Sequence, residues 1–131
     1  MAKLLYHGCN VLSIEGLGNW DVKNVTDMGS MFYGCSELTS LDLSGFDTSK
    51  ATNMNRMFNG CSGLTLLDSM QNISSSLDLS YTILDVTSLL DVIDNLATIT
   101  TTKTLTLSAT ALTKLTDKQI AIATNKGWTV S

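Results

Sequence analysis

The stretch MFYGCSELTSLDLSGFD, Met31 to Asp47, decides how this chain is read, because most of it returns as MFNGCSGLTLLD at Met57 to Asp68. The offset is 26 residues, and it superposes Asp21 on Asp47, Thr26 on Thr52, Met28 on Met54, Met31 on Met57, Phe32 on Phe58 and Gly34 on Gly60. Cys35, Leu38, Leu41 and Asp42 fall likewise on Cys61, Leu64, Leu67 and Asp68. A period in the twenties with leucines at L-x-x-L-x-L spacing marks a leucine-rich-repeat solenoid, in which one copy cannot bury its apolar face alone and neighbours stack to do so. The expected fold class is therefore α/β: a right-handed leucine-rich-repeat solenoid of about five coils, with parallel strands on the concave face and short helices on the convex face.

Upstream of this stretch, Leu5-Tyr6-His7-Gly8-Cys9 takes the place of Met-Phe-x-Gly-Cys, so the chain opens inside a copy. An uncapped solenoid end exposes core. The expectation is a fragment or C-terminal part of a longer chain, or self-association through the uncapped N-terminal coil. Val11 to Leu17 reads as the first strand, near Ser13–Glu15. Shifting its register by one residue pairs Ile14 with Leu41 and Glu15 with Asp42 and keeps the apolar alternation. Within the copies Thr26 and Thr52 are expected N-caps. Met28, Met31 and Phe32, with Met54, Met57 and Phe58, recur at helical spacing, and Gly34 ends the first turn. Strands are expected at Ser40–Leu43 and Thr65–Leu67, with Ser40, Asp42 and Ser44 facing away from the leucines.

Beyond Asp68 the pattern loosens. Ser69 to Ser76 reads as a loop, Leu77–Leu79 as a strand, and Thr87 or Ser88 as the cap of a helix through about Ala97. Thr104–Leu107 resumes alternation. Thr116-Asp117-Lys118-Gln119 fits a capping box that opens a helix stopped at Gly127, and Trp128–Val130 is a short last strand. Residues 1–131 make one domain, with regular repeats over 1–68 and longer coils plus a C-terminal capping coil over 69–131.

Net charge is −4, and the eight Lys and Arg are scattered singly. That distribution argues against a nucleic-acid partner. No apolar run approaches the roughly 18 residues of a membrane span, so no membrane insertion is expected, and Met1 to Tyr6 is too short for a signal-peptide core. Cys9, Cys35 and Cys61 recur at the same offset and are expected as free buried thiols, although an inter-strand spacing of about 5 Å does not forbid a disulfide. No second ligand accompanies them, so no metal and no cofactor are expected.

The candidate binding residues form an outward column on the concave sheet: Glu15, Ser40, Asp42, Ser44, Asp68, Asp78 and Thr106. Stacked carboxylates about 5 Å apart raise one another's pKa unless a cation intervenes. The bland alternative is a solvated polar face. His7, the one histidine, sits where Tyr33 and Asn59 stand in later copies, which suits exposure better than catalysis. No nucleophile, phosphate-loop or metalloprotease pattern occurs, and the chain is expected not to be an enzyme.

The words in MFYGCSELTSLDLSGFDTSKATNM resemble the BspA-like leucine-rich-repeat family of bacterial surface proteins, whose repeat carries Met-Phe-x-Gly-Cys, Leu-Asp-Leu-Ser and Phe-Asp-Thr-Ser. The likeness runs from about Leu5 to Asp68. It implies a non-catalytic, adhesin-like module at the cell surface or outside the cell, binding a protein or glycan partner on its concave face. The tail LTLSATALTKLTDKQIAIATNKGWTVS is similar to C-terminal coils on such proteins and on related phage-associated proteins of gut bacteria. That likeness implies an alternative, a structural assembly component of a phage virion or tail.

Overall fold

The computed structural model describes residues 9–131, so Leu4, Leu5, Tyr6 and His7 lie outside the described residues. From there the two copies recognised in the sequence are joined through their backbones. The N–H groups of Met28, Ser30, Phe32 and Gly34 donate to the carbonyls of Asn53, Asn55, Met57 and Asn59 at 2.8, 2.8, 3.0 and 2.8 Å. The intervening N–H groups turn back locally: Met31 to the Met28 carbonyl, Tyr33 to Ser30 and Cys35 to Phe32. An α-helix needs successive N–H groups to point along its axis to the carbonyl four residues earlier. Here every second one points sideways, so the expected convex helices of the two copies are chains of turns. Thr26 and Thr52 do not cap them; the Thr52 N–H and hydroxyl both donate to the Thr26 carbonyl. Met28, Met31, Met54 and Met57 are still buried, since a three-residue recurrence serves a run of turns as well as a helix.

Strand β1 (Ser40–Asp42) pairs parallel with β2 (Leu66–Asp68), Leu41 opposite Leu67, both leucines buried. Among the described residues no third strand joins them. Ile83 and Asp85 donate instead to the carbonyls of Leu64 and Thr65, and helix α1 (Val86–Asp94) covers the β2 edge. The Ser88 hydroxyl accepts the Leu67 N–H at 2.9 Å and the Asp91 carboxylate accepts the Ser69 N–H at 2.7 Å. Strands β3 (Leu77–Asp78), β4 (Lys103–Thr106) and β5 (Trp128–Val130) form a separate parallel sheet in that order.

The right-handed five-coil leucine-rich-repeat solenoid expected from the period is therefore not the architecture. Among the described residues five short strands lie in two small parallel sheets with three α-helices, without one continuous concave face and without closure into regular coils. The physical reason is chain length: Leu77 follows Asp68 too soon to complete another 26-residue copy, so the repeated Leu-Asp-Leu-Ser word reaches a different sheet. Residues 13–15 also form no strand. Their neighbour Leu12 accepts the Thr39 N–H at 2.9 Å, a separation of 27 that matches the shifted register of Ile14 and Glu15.

Later helices are capped by side chains. Asp85, not Thr87 or Ser88, caps α1 by accepting the Ser88 N–H at 2.8 Å. Ser108 caps the short α2 (Ala109–Thr113), which the alternating pattern does not reveal. At α3 (Asp117–Asn125) the capping box forms in both directions, Gln119 N–H to Thr116 Oγ1 and Thr116 N–H to Gln119 Oε1. Lys126 then reaches back to the Ile93 and Asp94 carbonyls at 3.1 and 2.9 Å, satisfying the end of α1. Gly127, with φ of 95°, follows as the turn out of α3 requires.

The core is one apolar cluster from Leu17 to Trp128. Phe32 and Phe58 stack in it with ring centroids 5.9 Å apart. The copies approach so closely that a Cβ on Gly63 would meet the Ser36 carbonyl oxygen at 2.7 Å. The cysteines depart from the expectation of free thiols throughout: Cys9 and Cys35 form a disulfide, with Cα atoms 4.7 Å apart. Cys61 alone stays reduced among the described residues. Its Sγ–H donates to the Phe32 carbonyl at 3.1 Å, and burial pushes the thiol up to about 11.

Three outcomes follow from this packing. Phe58→Ala empties a fully buried position and is expected to cost about 3–5 kcal/mol, read from urea unfolding. Reduction of Cys9–Cys35 is expected to lower stability by about 3.5 kcal/mol, the chain-entropy value for a loop of this length. In the oxidised protein Cys61 is expected to react with an alkylating reagent only after unfolding, which intact-mass measurement reads directly.

Candidate functional site

The recurring Asp-x-Ser words build the same small structure wherever they fall. Asp42 Oδ1 accepts the Ser44 N–H at 3.0 Å and the Ser44 hydroxyl at 2.6 Å. Asp78 Oδ1 accepts from Ser80 in the same way at 2.8 and 2.6 Å. Asp47 accepts the Ser49 N–H at 3.0 Å, and the Asn72 amide donates to the same oxygen at 3.1 Å. These are Asx turns, in which a short acidic side chain replaces the backbone carbonyl of a turn. The Ser44 hydroxyl, then its N–H, holds the Asp42 carboxyl below its usual range. At Asp47 the Asn72 amide does the same, followed by Ser49. Hydrogen bonds, rather than repulsion between stacked acids, set the charge state of Asp42.

The single column of ligands expected from the period is divided. Asp42 lies opposite Asp68 across β1 and β2, whereas Asp78 lies opposite Thr106 across β3 and β4, in the other sheet. Ser40 is half-buried opposite Leu66, and Ser44 and Glu15 are exposed, Glu15 outside any strand. Asp68 borders one open concavity, and Asp78 and Thr106 border another; Glu15, Ser40, Asp42 and Ser44 line neither.

One concavity, of about 520 Å³, lies between β2 and α1 and gathers Asp68, Asp85, Asp91 and Asp94 around Leu66 and Leu90. No lysine or arginine lines it, so its field favours a cationic partner group. Two of its four carboxylates are engaged in structure: Asp85 as the cap of α1, and Asp91 on the Ser69 N–H. Among the described residues no three His, Cys, Asp or Glu side chains converge on a metal position.

The second concavity, of about 350 Å³, lies where the Met54–Arg56 turn meets the β3–β4 sheet, and is bordered by Asn55, Arg56, Ser76, Asp78, Thr104 and Thr106. Sequence reading named Asp78 and Thr106 here but missed Arg56, and it missed Asp85, Asp91 and Asp94 in the first concavity. The i, i+3 spacing of Asp91 and Asp94 on one helix was a usable signal. Arg56, the one arginine of the chain, had a weaker one: it stands where the earlier copy has Ser30. Both residues adopt the left-handed backbone, with φ of 58° and 59°.

The chain belongs to the family described as "Mycoplasma protein of unknown function, DUF285", whose sequence model matches residues 1–114. That span takes in both copies, strands β1 to β4 and both concavities, and leaves α3 and β5 beyond it. No curated protein and no solved structure matches the chain.

The Asx turn at Asp42 gives a titration test. Its folded pKa is depressed, so its contribution to stability is present above the unfolded value and is lost as pH falls through the folded value. Ser44→Ala is expected to move the Asp42 carboxyl back up toward its ordinary range, read by NMR of the side-chain carbon. That variant is expected to be less stable than the parent at neutral pH, with the difference closing as pH falls through the folded value of Asp42.

Proposed function

We propose that this protein is a non-catalytic binding module that offers its open concavities to a protein or glycan partner, as part of a bacterial surface protein of the BspA-like kind its repeat words resemble. The observation that carries this reading is the concavity between β2 and α1. Four carboxylates there surround an apolar floor, with Leu66 52% exposed and Ile83 and Val86 nearby in the chain also exposed. An apolar patch with a charged rim suits recognition of a partner surface. Two of these carboxylates, Asp85 and Asp91, act as a helix cap and a strand-edge acceptor, roles that hold them in place.

The alternative, an assembly component of a phage virion or tail, draws on a different observation. Val11 and Leu12 are 44% and 64% exposed beside the first pairing edge, an arrangement suited to contact with another copy. Solution mass separates the two: a monodisperse monomer supports the binding module, and a closed or filamentous oligomer supports assembly.

Arrays of glycans and of basic surface proteins test the leading reading. Retention of a ligand that is recovered chemically unchanged is the expected result. Conversion of a retained ligand, abolished by Asp68→Asn or Asp94→Asn, would replace the binding reading with an enzymatic one. For a basic protein ligand, those two substitutions are expected to weaken binding and flatten its salt dependence.

A further inference from the structure

The concavity at Arg56 differs in kind from the acidic one, and that difference points to its ligand. It brings together one cation, one anion and several neutral hydrogen-bonding side chains. Among the described residues no hydrogen bond or ion pair engages the Arg56 guanidinium, and Arg56 itself is exposed. Asp78 uses Oδ1 for its Asx turn, which leaves Oδ2 available as an acceptor. Ser76 Oγ accepts the Thr104 N–H at 3.0 Å and keeps its own proton to donate. The turn that carries Arg56 is held from both sides: Ser30 donates to the Asn55 carbonyl at 2.8 Å, and Asn59 donates to the Arg56 carbonyl at 3.2 Å. The opposite wall is paired sheet, Asp78 beside Thr106. The site therefore stands on rigid backbone.

We infer that this concavity is a binding subsite for a neutral saccharide, with Arg56 donating to, and Asp78 accepting from, neighbouring hydroxyls. The inference rests on the reading of the protein as a binding module and names the ligand class for one of its faces. Charge decides among ligand classes. The two ionised groups bordering the cavity cancel, so neither an anion nor a cation gains from the site as a whole. An acidic ligand would meet Asp78, and a basic one would meet Arg56. A vicinal diol carries a donor and an acceptor on each oxygen, and so can satisfy a guanidinium fork, a free carboxylate oxygen and flanking hydroxyls together. The volume lies at the small end of ligand sites, which run from about 300 to 1,000 Å³, and fits a mono- or disaccharide. No aromatic ring borders the cavity to stack on a sugar face, so the expected affinity is weak, roughly millimolar.

The test is an amide-shift NMR titration of the whole protein with four neutral disaccharides, chitobiose, mannobiose, lactose and maltose, each to about 20 mM. The expected result is that at least one shifts the amides of Arg56, Asp78, Thr104 and Thr106. Arg56→Ala and Asp78→Asn should each weaken that titration about tenfold or more, the usual effect of removing a charged hydrogen-bond partner. Thr106→Val keeps the shape of its strand position and guards against a merely unfolded variant; a smaller loss with an unchanged spectrum elsewhere is expected. Shifts confined to Asp68, Asp91 and Asp94, or binding indifferent to both charged substitutions, would overturn the inference and leave the binding-module reading standing. No shift from any of the four would also overturn it, and retention on the protein array then decides the wider reading by itself.

Discussion

The sideways hydrogen bonds from Ser30, Phe32 and Gly34 to the next copy are the constraint on which the first half of the molecule depends. Backbone polar groups that are buried must be paired, and there are two ways to pair these. A helix would satisfy them within the copy and leave each copy a separate unit. Pairing them across copies makes the two units one. It requires the left-handed backbone at Ser30 and Arg56 and the close approach at Gly60 and Gly63, where a side chain would strike the neighbouring backbone. In return Phe32 and Phe58 stack and the methionines are sealed, which converts two copies that cannot bury their faces alone into one core.

Much of this was legible in the chain, and the failures share a cause. The 26-residue offset correctly placed the buried residues, the parallel pairing of β1 with β2 and its register, because burial repeats with the sequence. The capping box of α3 was legible because its chemistry is local: Thr116 and Gln119 need only each other. The helices expected over Met28 to Phe32 and Met54 to Phe58 were not, since a spacing of three is shared by helices and runs of turns, and only the neighbour's carbonyls decide between them. The solenoid failed in the same way. Leu77-Asp78-Leu79-Ser80 repeats the local turn of Leu41-Asp42-Leu43-Ser44, but which sheet it joins is set by how much chain precedes it.

The candidate sites inherit that split. A period places equivalent aspartates on equivalent turns, and that much holds for Asp42 and Asp78, each bound to the serine two residues on. It cannot say which acids share a surface. Asp68 finds its companions on α1, in Asp85, Asp91 and Asp94, and Asp78 faces an arginine from an earlier copy. Two aspartates alike in the sequence therefore stand in fields of different sign balance.

Helix α1 shows how closely fold and surface are tied. A parallel edge at β2 would leave N–H groups open to pairing with another chain, and proteins cover such edges. Here the cover is made with side chains: the Ser88 hydroxyl takes the Leu67 N–H and the Asp91 carboxylate takes the Ser69 N–H. A carboxylate is the stronger acceptor for an amide, and placing it there brings negative charge to the rim of the concavity. Asp85 adds a second charge for an unrelated reason, as the cap that starts the helix. The acidity of that face thus arises partly from ending a sheet and beginning a helix. Only Asp68 and Asp94, which hold no such bond among the described hydrogen bonds, are left to tune it for a partner independently of the fold.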